Sequence, residues 1–164
     1  MNVKAGKNNQ ILAKSQAIEY NYGLLLQGHI DEIQTFTLSK DNRLAISGSK
    51  DKTVRVWNLE NKHQEAVFYG HSSYINIVSI TSDNYFILSG SGSYETKSEF
   101  DDNSIRVWNL HKKSSEAIFL GHPLGVKSLA ITNSDHYIVS GSSDNYVRVW
   151  RLPKKQENVP QSHY

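Results

Sequence analysis

Serine, histidine and aspartate recur together three times in this 164-residue chain. Gly-His pairs stand at Gly28-His29, Gly70-His71 and Gly121-His122, and a serine follows each histidine by eighteen residues (Ser47, Ser89, Ser140). An aspartate (Asp51, Asp102, Asp144) lies six residues before each tryptophan (Trp57, Trp108, Trp150). Ser, His and Asp are the components of a hydrolase triad, in which the imidazole takes the hydroxyl proton and the carboxylate orients the imidazole. Such a catalyst needs one exposed nucleophile and donors aimed at a developing oxyanion. Here the constellation is repeated, and every copy carries an indole N–H able to occupy the serine oxygen. Repetition with a fixed aromatic companion fits a structural bond network better than a nucleophile. The sequence has no Gly-rich phosphate loop ending in Lys-Ser/Thr and no nucleophile elbow.

Other candidates for chemistry are weaker. Of seven histidines, three belong to the recurring sets, and His63, His111, His136 and His163 show no ligand spacing. No metal and no cofactor is expected. Arg55, Arg106 and Arg148 each stand two residues before a tryptophan, where packing or ion pairing between neighbouring sheets is favoured over anion binding. Cysteine is absent, which excludes disulfides and thiolate metal sites. The formal charge of +2 comes from 18 basic and 16 acidic residues spread along the chain, so no strong footprint for nucleic acid or anionic membrane emerges. Nine Tyr and three Trp supply large apolar area for a core. The start, "MNVKAGKNNQILAKSQ", lacks the apolar centre of a secretory signal, and no apolar run approaches the ~20 residues of a membrane span. A soluble intracellular chain is expected, cytoplasmic, with the nucleus left open.

The elements that must position these residues form a repeat. Successive Gly-His histidines are 42 and 51 residues apart and successive tryptophans 51 and 42, so one nine-residue insertion between Ser89 and Asp102 interrupts a period of 42. After each Gly-His comes an alternating apolar run (Ile33 to Leu38; Ile75 to Ile80; Val126 to Ile131), then a polar turn and a second run ending in Ser-Gly-Ser. A third strand carries the tryptophan. The fourth is "EAVFY" at 65 to 69 and "EAIFL" at 116 to 120, and "GLLLQ" at 23 to 27 takes that place before the first unit. Short strands at even spacing, without helical periodicity, predict an all-β fold.

With Gly-His, Ser-Gly-Ser-x-Asp and Val-Arg-Val-Trp in register, the chain resembles the WD-repeat β-propeller family over about residues 22 to 152. The resemblance implies about three four-stranded blades, forming an open arc or partial propeller. It also implies three hydrogen-bonded structural tetrads: His29, Ser47, Asp51 and Trp57; His71, Ser89, Asp102 and Trp108; His122, Ser140, Asp144 and Trp150. The chain departs from the family pattern in three ways. Trp-Asn and Trp-Arg replace Trp-Asp, Ser134 takes the turn position held by Asp41 and Asp83 with Asp135 one step late, and Tyr146 replaces Thr53. Propellers use 4 to 8 blades, so three units leave an open arc, a six-blade ring of two copies, or a piece of a longer propeller.

The family implies a noncatalytic scaffold for protein or peptide partners, and no enzyme. A hydrolase using one Ser-His-Asp set is the alternative of a different class, and a nucleic-acid-associated module is a third reading that the balanced charge disfavours. Exposed end strands invite self-association. No membrane role is expected. Candidate contact residues are Asp31, Glu32, Tyr74 and Leu124 in the loops after Gly-His, with Tyr94 and Phe100 in the acidic insertion near residues 92 to 102. Residues 1 to 21 are expected to form a flexible leader, and 153 to 164 a mobile tail.

Overall fold

A computed structural model of the chain describes residues 18–20, 23–93 and 102–155, which form strands and turns and no helix. A short hairpin, β1 (Ile18–Tyr20) and β2 (Gly23–Leu25), precedes three antiparallel sheets. The first runs in the order β3 (Ile33–Leu38), β4 (Leu44–Ser49), β5 (Val54–Asn58), β6 (His63–Phe68). The second is β7 (Ile75–Ile80), β8 (Phe86–Ser91), β9 (Ile105–Asn109), β10 (Ser114–Phe119), and the third is β11 (Val126–Ile131), β12 (Tyr137–Ser142), β13 (Val147–Arg151). The third blade thus holds three strands among the described residues. Each first strand shifts register once, between Ile33/Thr35, Ile75/Ile77 and Val126/Ser128. The blades therefore share one bulge at one place.

Hairpin turns between first and second strands need a residue with positive φ, and Asn42, Asn84 and Asp135 supply it at 59°, 61° and 53°. Asp135 sits one step late because it takes the left-handed position of the asparagines and leaves the side-chain capping to Ser134. The turn survives: Asp135 N donates to Thr132 O at 2.8 Å and Thr132 N to Tyr137 O at 3.0 Å, matching Asn42 to Ser39 and Ser39 to Leu44. Asp135 then bonds outside its own blade, accepting Ser82 Oγ at 2.6 Å.

The core lies between blades. One cluster joins Ile46, Val54, Val56, Ala66 and Phe68 of the first blade to Ile75, Val78, Ile87, Trp108 and Leu110 of the second. Another joins Phe86, Leu88 and Val107 of the second to Ile138 and Leu152 of the third, with Trp150 packed against it. The Ser-Gly-Ser glycines make this contact close. A Cβ on Gly48 would stand 2.4 Å from Ile75 Cγ2, and one on Gly90 would stand 2.6 Å from Val126 Cγ1. Each glycine is thus a notch for the first residue of the next blade's first strand.

Both ends of the stack differ from its middle. β2 pairs with β1 through Ile18↔Leu25, Glu19↔Leu24 and Tyr20↔Gly23, and not with β13. Residues 18–20, placed in the flexible leader on sequence grounds, therefore form a strand; Ile-Glu-Tyr has the alternation and β-preference to pair across a short connection. The rest of the leader, the tail beyond 155 and most of the insertion lie outside the described residues.

Candidate functional site

Each Ser-His-Asp-Trp set assembles at one edge of its blade, where the loop carrying Gly-His folds over the turn between second and third strands. Trp57 Nε1 lies 2.8 Å from Ser47 Oγ, Ser47 Oγ lies 2.7 Å from His29 Nε2, and His29 Nδ1 lies 2.7 Å from Asp51 Oδ2. The second blade repeats this with Trp108, Ser89, His71 and Asp102 at 2.8, 2.7 and 2.6 Å. In the third, Trp150, Ser140, His122 and Asp144 stand at 2.8, 2.8 and 2.7 Å. An indole can only donate and an ionised carboxylate can only accept. In the first two blades, with a neutral imidazole, the proton order is fixed: Trp Nε1–H to Ser Oγ, Ser Oγ–H to His Nε2, and His Nδ1–H to Asp.

Burial governs the charges. It lowers the pKa of His29 and of His71 below the ordinary 6.5, although the neighbouring Asp51 and Asp102 oppose the shift. Burial would raise the Asp51 carboxyl, but bonds from Thr53, His29 and the Ile30 backbone outweigh it and hold the pKa at about 2. Asp144 is likewise held at about 2, where bonds from His122, Tyr146 N and Arg148 outweigh burial. Asp102 lies well below the carboxylate range: burial is opposed by His71, Ser104 and the Ser72 backbone.

The serine is not presented as a nucleophile. Ser47, Ser89 and Ser140 are 5%, 0% and 1% exposed, and each oxygen already sits between an indole and an imidazole.

Several partners of the set are not named by the spacing alone. Thr53 Oγ1 donates to Asp51 Oδ1 at 2.6 Å, and Ser104 Oγ bonds Asp102. A hydroxyl two residues after the aspartate is the signal for this bond, and Tyr146 breaks it. Arg148 compensates, with Nη1 2.6 Å from Asp144 Oδ2. The repeated arginines therefore do not link neighbouring sheets, as the sequence suggested; each stays in its own blade. Arg55 bonds Gln64, Arg106 stands 3.8 Å from Asp102, and Arg148 holds Asp144. The side chain runs back along its own strand to the aspartate four residues earlier in the second and third blades. In the second blade it also lies over the Gly-His glycine. Gly70 has φ 143°, and a Cβ there would stand 2.6 Å from Arg106 Nη1.

Two polar links between blades lie at the opposite edge, beyond the reach of repeat spacing. Asn84 Nδ2 donates to Asp41 Oδ2 at 3.0 Å, and Ser82 bonds Asp135 through both its backbone N and its hydroxyl.

Of the candidate contact residues, Asp31, Glu32, Tyr74 and Leu124 lie in the loops at the Gly-His edge. Asp31 and Glu32 are exposed, and Glu32 pairs with Lys50 Nζ at 2.6 Å. Tyr74, 42% exposed, lines a cleft of about 230 Å³ with Lys52, Ser72, Ser73 and Ser93, between the first and second blades. Leu124 is half-buried, and its carbonyl accepts Ser142 Oγ at 2.9 Å. Tyr94 and Phe100 lie outside the described residues. The far end of the insertion is anchored: Asp102 N donates to Ser73 Oγ at 3.2 Å, and Asn103 Nδ2 to Pro123 O at 3.1 Å.

The sequence profile described as "WD domain, G-beta repeat" matches residues 22–58, 62–109 and 113–151. The pre-mRNA-splicing factor PRP46 of Candida albicans is 30% identical over 76 residues, covering 46% of this chain and 17% of that protein. Protein tipD of Dictyostelium discoideum is 31% identical over 115 residues, covering 70% of this chain and 17% of its own. The small ribosomal subunit protein RACK1 of Caenorhabditis elegans is 31% identical over 86 residues, covering 51% and 24% respectively. The chain thus spans no more than a quarter of the length of these three curated relatives. The crystal structure of RRP9 WD40 repeats superposes with a TM-score of 0.66 at 27% identity, over 77% of this chain and 37% of that one.

Proposed function

This chain belongs to the WD-repeat family, and we propose that it is a noncatalytic protein-interaction platform whose Gly-His edge receives a protein or peptide partner. Proteins of this family are in general interaction scaffolds within complexes. The reading is supported by the burial and double bonding of the three serines, whose hydroxyls are occupied as they would be if the Ser-His-Asp sets hold the loops in place. A surface held that rigidly costs little ordering entropy on binding. Asp31, Glu32, Tyr74 and Leu124, with Tyr94 and Phe100 of the insertion, are its contact residues, and Tyr74 beside its cleft is the natural aromatic anchor. The working compartment is intracellular.

Two measurements test this. A serine-reactive probe should leave Ser47, Ser89 and Ser140 unlabelled in the folded protein; labelling of one of them, abolished by its own Ser→Ala change, would establish the hydrolase instead. Affinity capture with the wild type and with Tyr74→Ala should differ in the partners retained while circular dichroism stays constant. Identical capture by both would remove Tyr74 from the contact surface.

A further inference from the structure

The blade-to-blade contact is built twice within the chain, and its two halves are each left uncovered once more at the ends. In the first contact Ile75 fills the notch at Gly48, and in the second Val126 fills the notch at Gly90. The third notch, Gly141, meets only Ser128 of its own blade. The third filler also exists. Ile33 pairs with Ser49 as Ile75 pairs with Ser91 and Val126 with Ser142, yet Ile33 is 52% exposed where the other two are 0%.

The surrounding apolar positions repeat the pattern. Val147 and Val149 of β13 are 72% and 64% exposed, while Val54, Val56, Ile105 and Val107, which hold those places in the inner blades, are 0% exposed. On the other end Phe36 is 74% exposed, and its counterpart Val78 is 4% exposed. Apolar faces this bare on a soluble domain mark a contact surface.

The backbone is complementary as well. Among the described residues the outer edge of β13 carries no fourth strand. β2 precedes Gly28-His29 as β6 and β10 precede their own Gly-His pairs, and its edge away from β1 is unpaired among the described residues. It is a fourth strand without a blade, and β13 ends a blade without a fourth strand among the described residues.

We propose that a second copy of this chain completes the stack: Ile33 of each copy enters the Gly141 notch of the other, and β2 of each pairs antiparallel with β13 of the other. The contact is head-to-tail, and two copies of three blades close it into a ring of six, within the range that propellers adopt, whereas three alone are too few. This pairing uses the ends of the stack and leaves the Gly-His edge free, so it stands apart from the partner-binding reading.

The test is molar mass in solution by light scattering on the 164-residue chain, with two variants at exposed positions. The wild type should give twice 18.6 kDa. Ile33→Asp and Val149→Asp should each give 18.6 kDa with unchanged circular dichroism. Mixed in equal amounts, the two variants should regain the two-chain mass, because one of the two contacts then joins an unaltered Ile33 end to an unaltered Val149 end. A wild type of single-chain mass at every concentration, a mass that grows with concentration beyond two chains, two-chain mass retained by either variant alone, or no recovery on mixing would each overturn the proposal.

Discussion

Arg148 Nη1 stands 2.6 Å from Asp144 Oδ2, in the service that a hydroxyl performs in the other two blades. Tyr146 cannot reach its aspartate with a side-chain hydroxyl and supplies only its backbone N–H, at 2.9 Å. Arg148→Ala should therefore cost about 1 kcal/mol in denaturant unfolding, because the guanidinium is partly exposed and solvent screens the pair. In a Tyr146→Thr background the same change should cost clearly less. Equal costs in the two backgrounds would show that the two groups do not substitute for one another.

Ser89→Ala removes an acceptor from Trp108 Nε1 and a donor from His71 Nε2, both in a region closed to water. The loss should be about 1 to 3 kcal/mol. Ser140→Ala should cost less, since Trp150 is only half-buried and water can reach its indole N–H. A reversed order in urea midpoints would contradict this account of the tetrads.

Acid should destabilise the protein in two stages. His29 and His71 have folded pKa values below 6.5, so beneath pH 6.5 the unfolded chain binds protons that the folded one refuses, and stability falls as pH falls. Asp51 and Asp144 are held at about 2 against an ordinary 3.8, so their contribution is complete above about pH 4 and is lost between pH 4 and 2. Thermal midpoints measured from pH 8 to pH 2 should decline first below 6.5 and more steeply below 4. A flat profile between 6.5 and 4.5 would remove the histidine part, and His71→Gln should blunt that first decline.

Tyr94→Ala or Phe100→Ala should weaken partner capture by about tenfold, as for an aromatic anchor worth 1 to 2 kcal/mol, with no change in unfolding midpoint. Unchanged capture profiles from both would exclude the insertion from the contact surface.

The repeat made most of the architecture legible. The alternating runs Ile33 to Leu38, Ile75 to Ile80 and Val126 to Ile131 become β3, β7 and β11 at those bounds, because an apolar pattern between turn signals is local and is written three times. In each set the serine follows the histidine by eighteen residues and the aspartate precedes the tryptophan by six, and the structure brings each set together. What was not legible depends on contacts without a repeated spacing. Asp135 reaches Ser82 across 53 residues, and no pattern in one blade announces a bond to the next. Arg148 closes to 2.6 Å on Asp144 where Arg106 stands 3.8 Å from Asp102, beside a single substitution that a motif treats as neutral. β1 has no counterpart in any unit and spans only three residues, too few for periodicity to register.

Asp102 is bonded by His71, by the Ser72 backbone and by Ser104, immediately after the inserted segment ends. A clamp at that point separates the length of the loop from the shape of the platform. Changes of length or sequence between Ser93 and Asp102 should leave the unfolding midpoint of the blade below unchanged, so this position is where new binding specificity can be grafted, by evolution or by design.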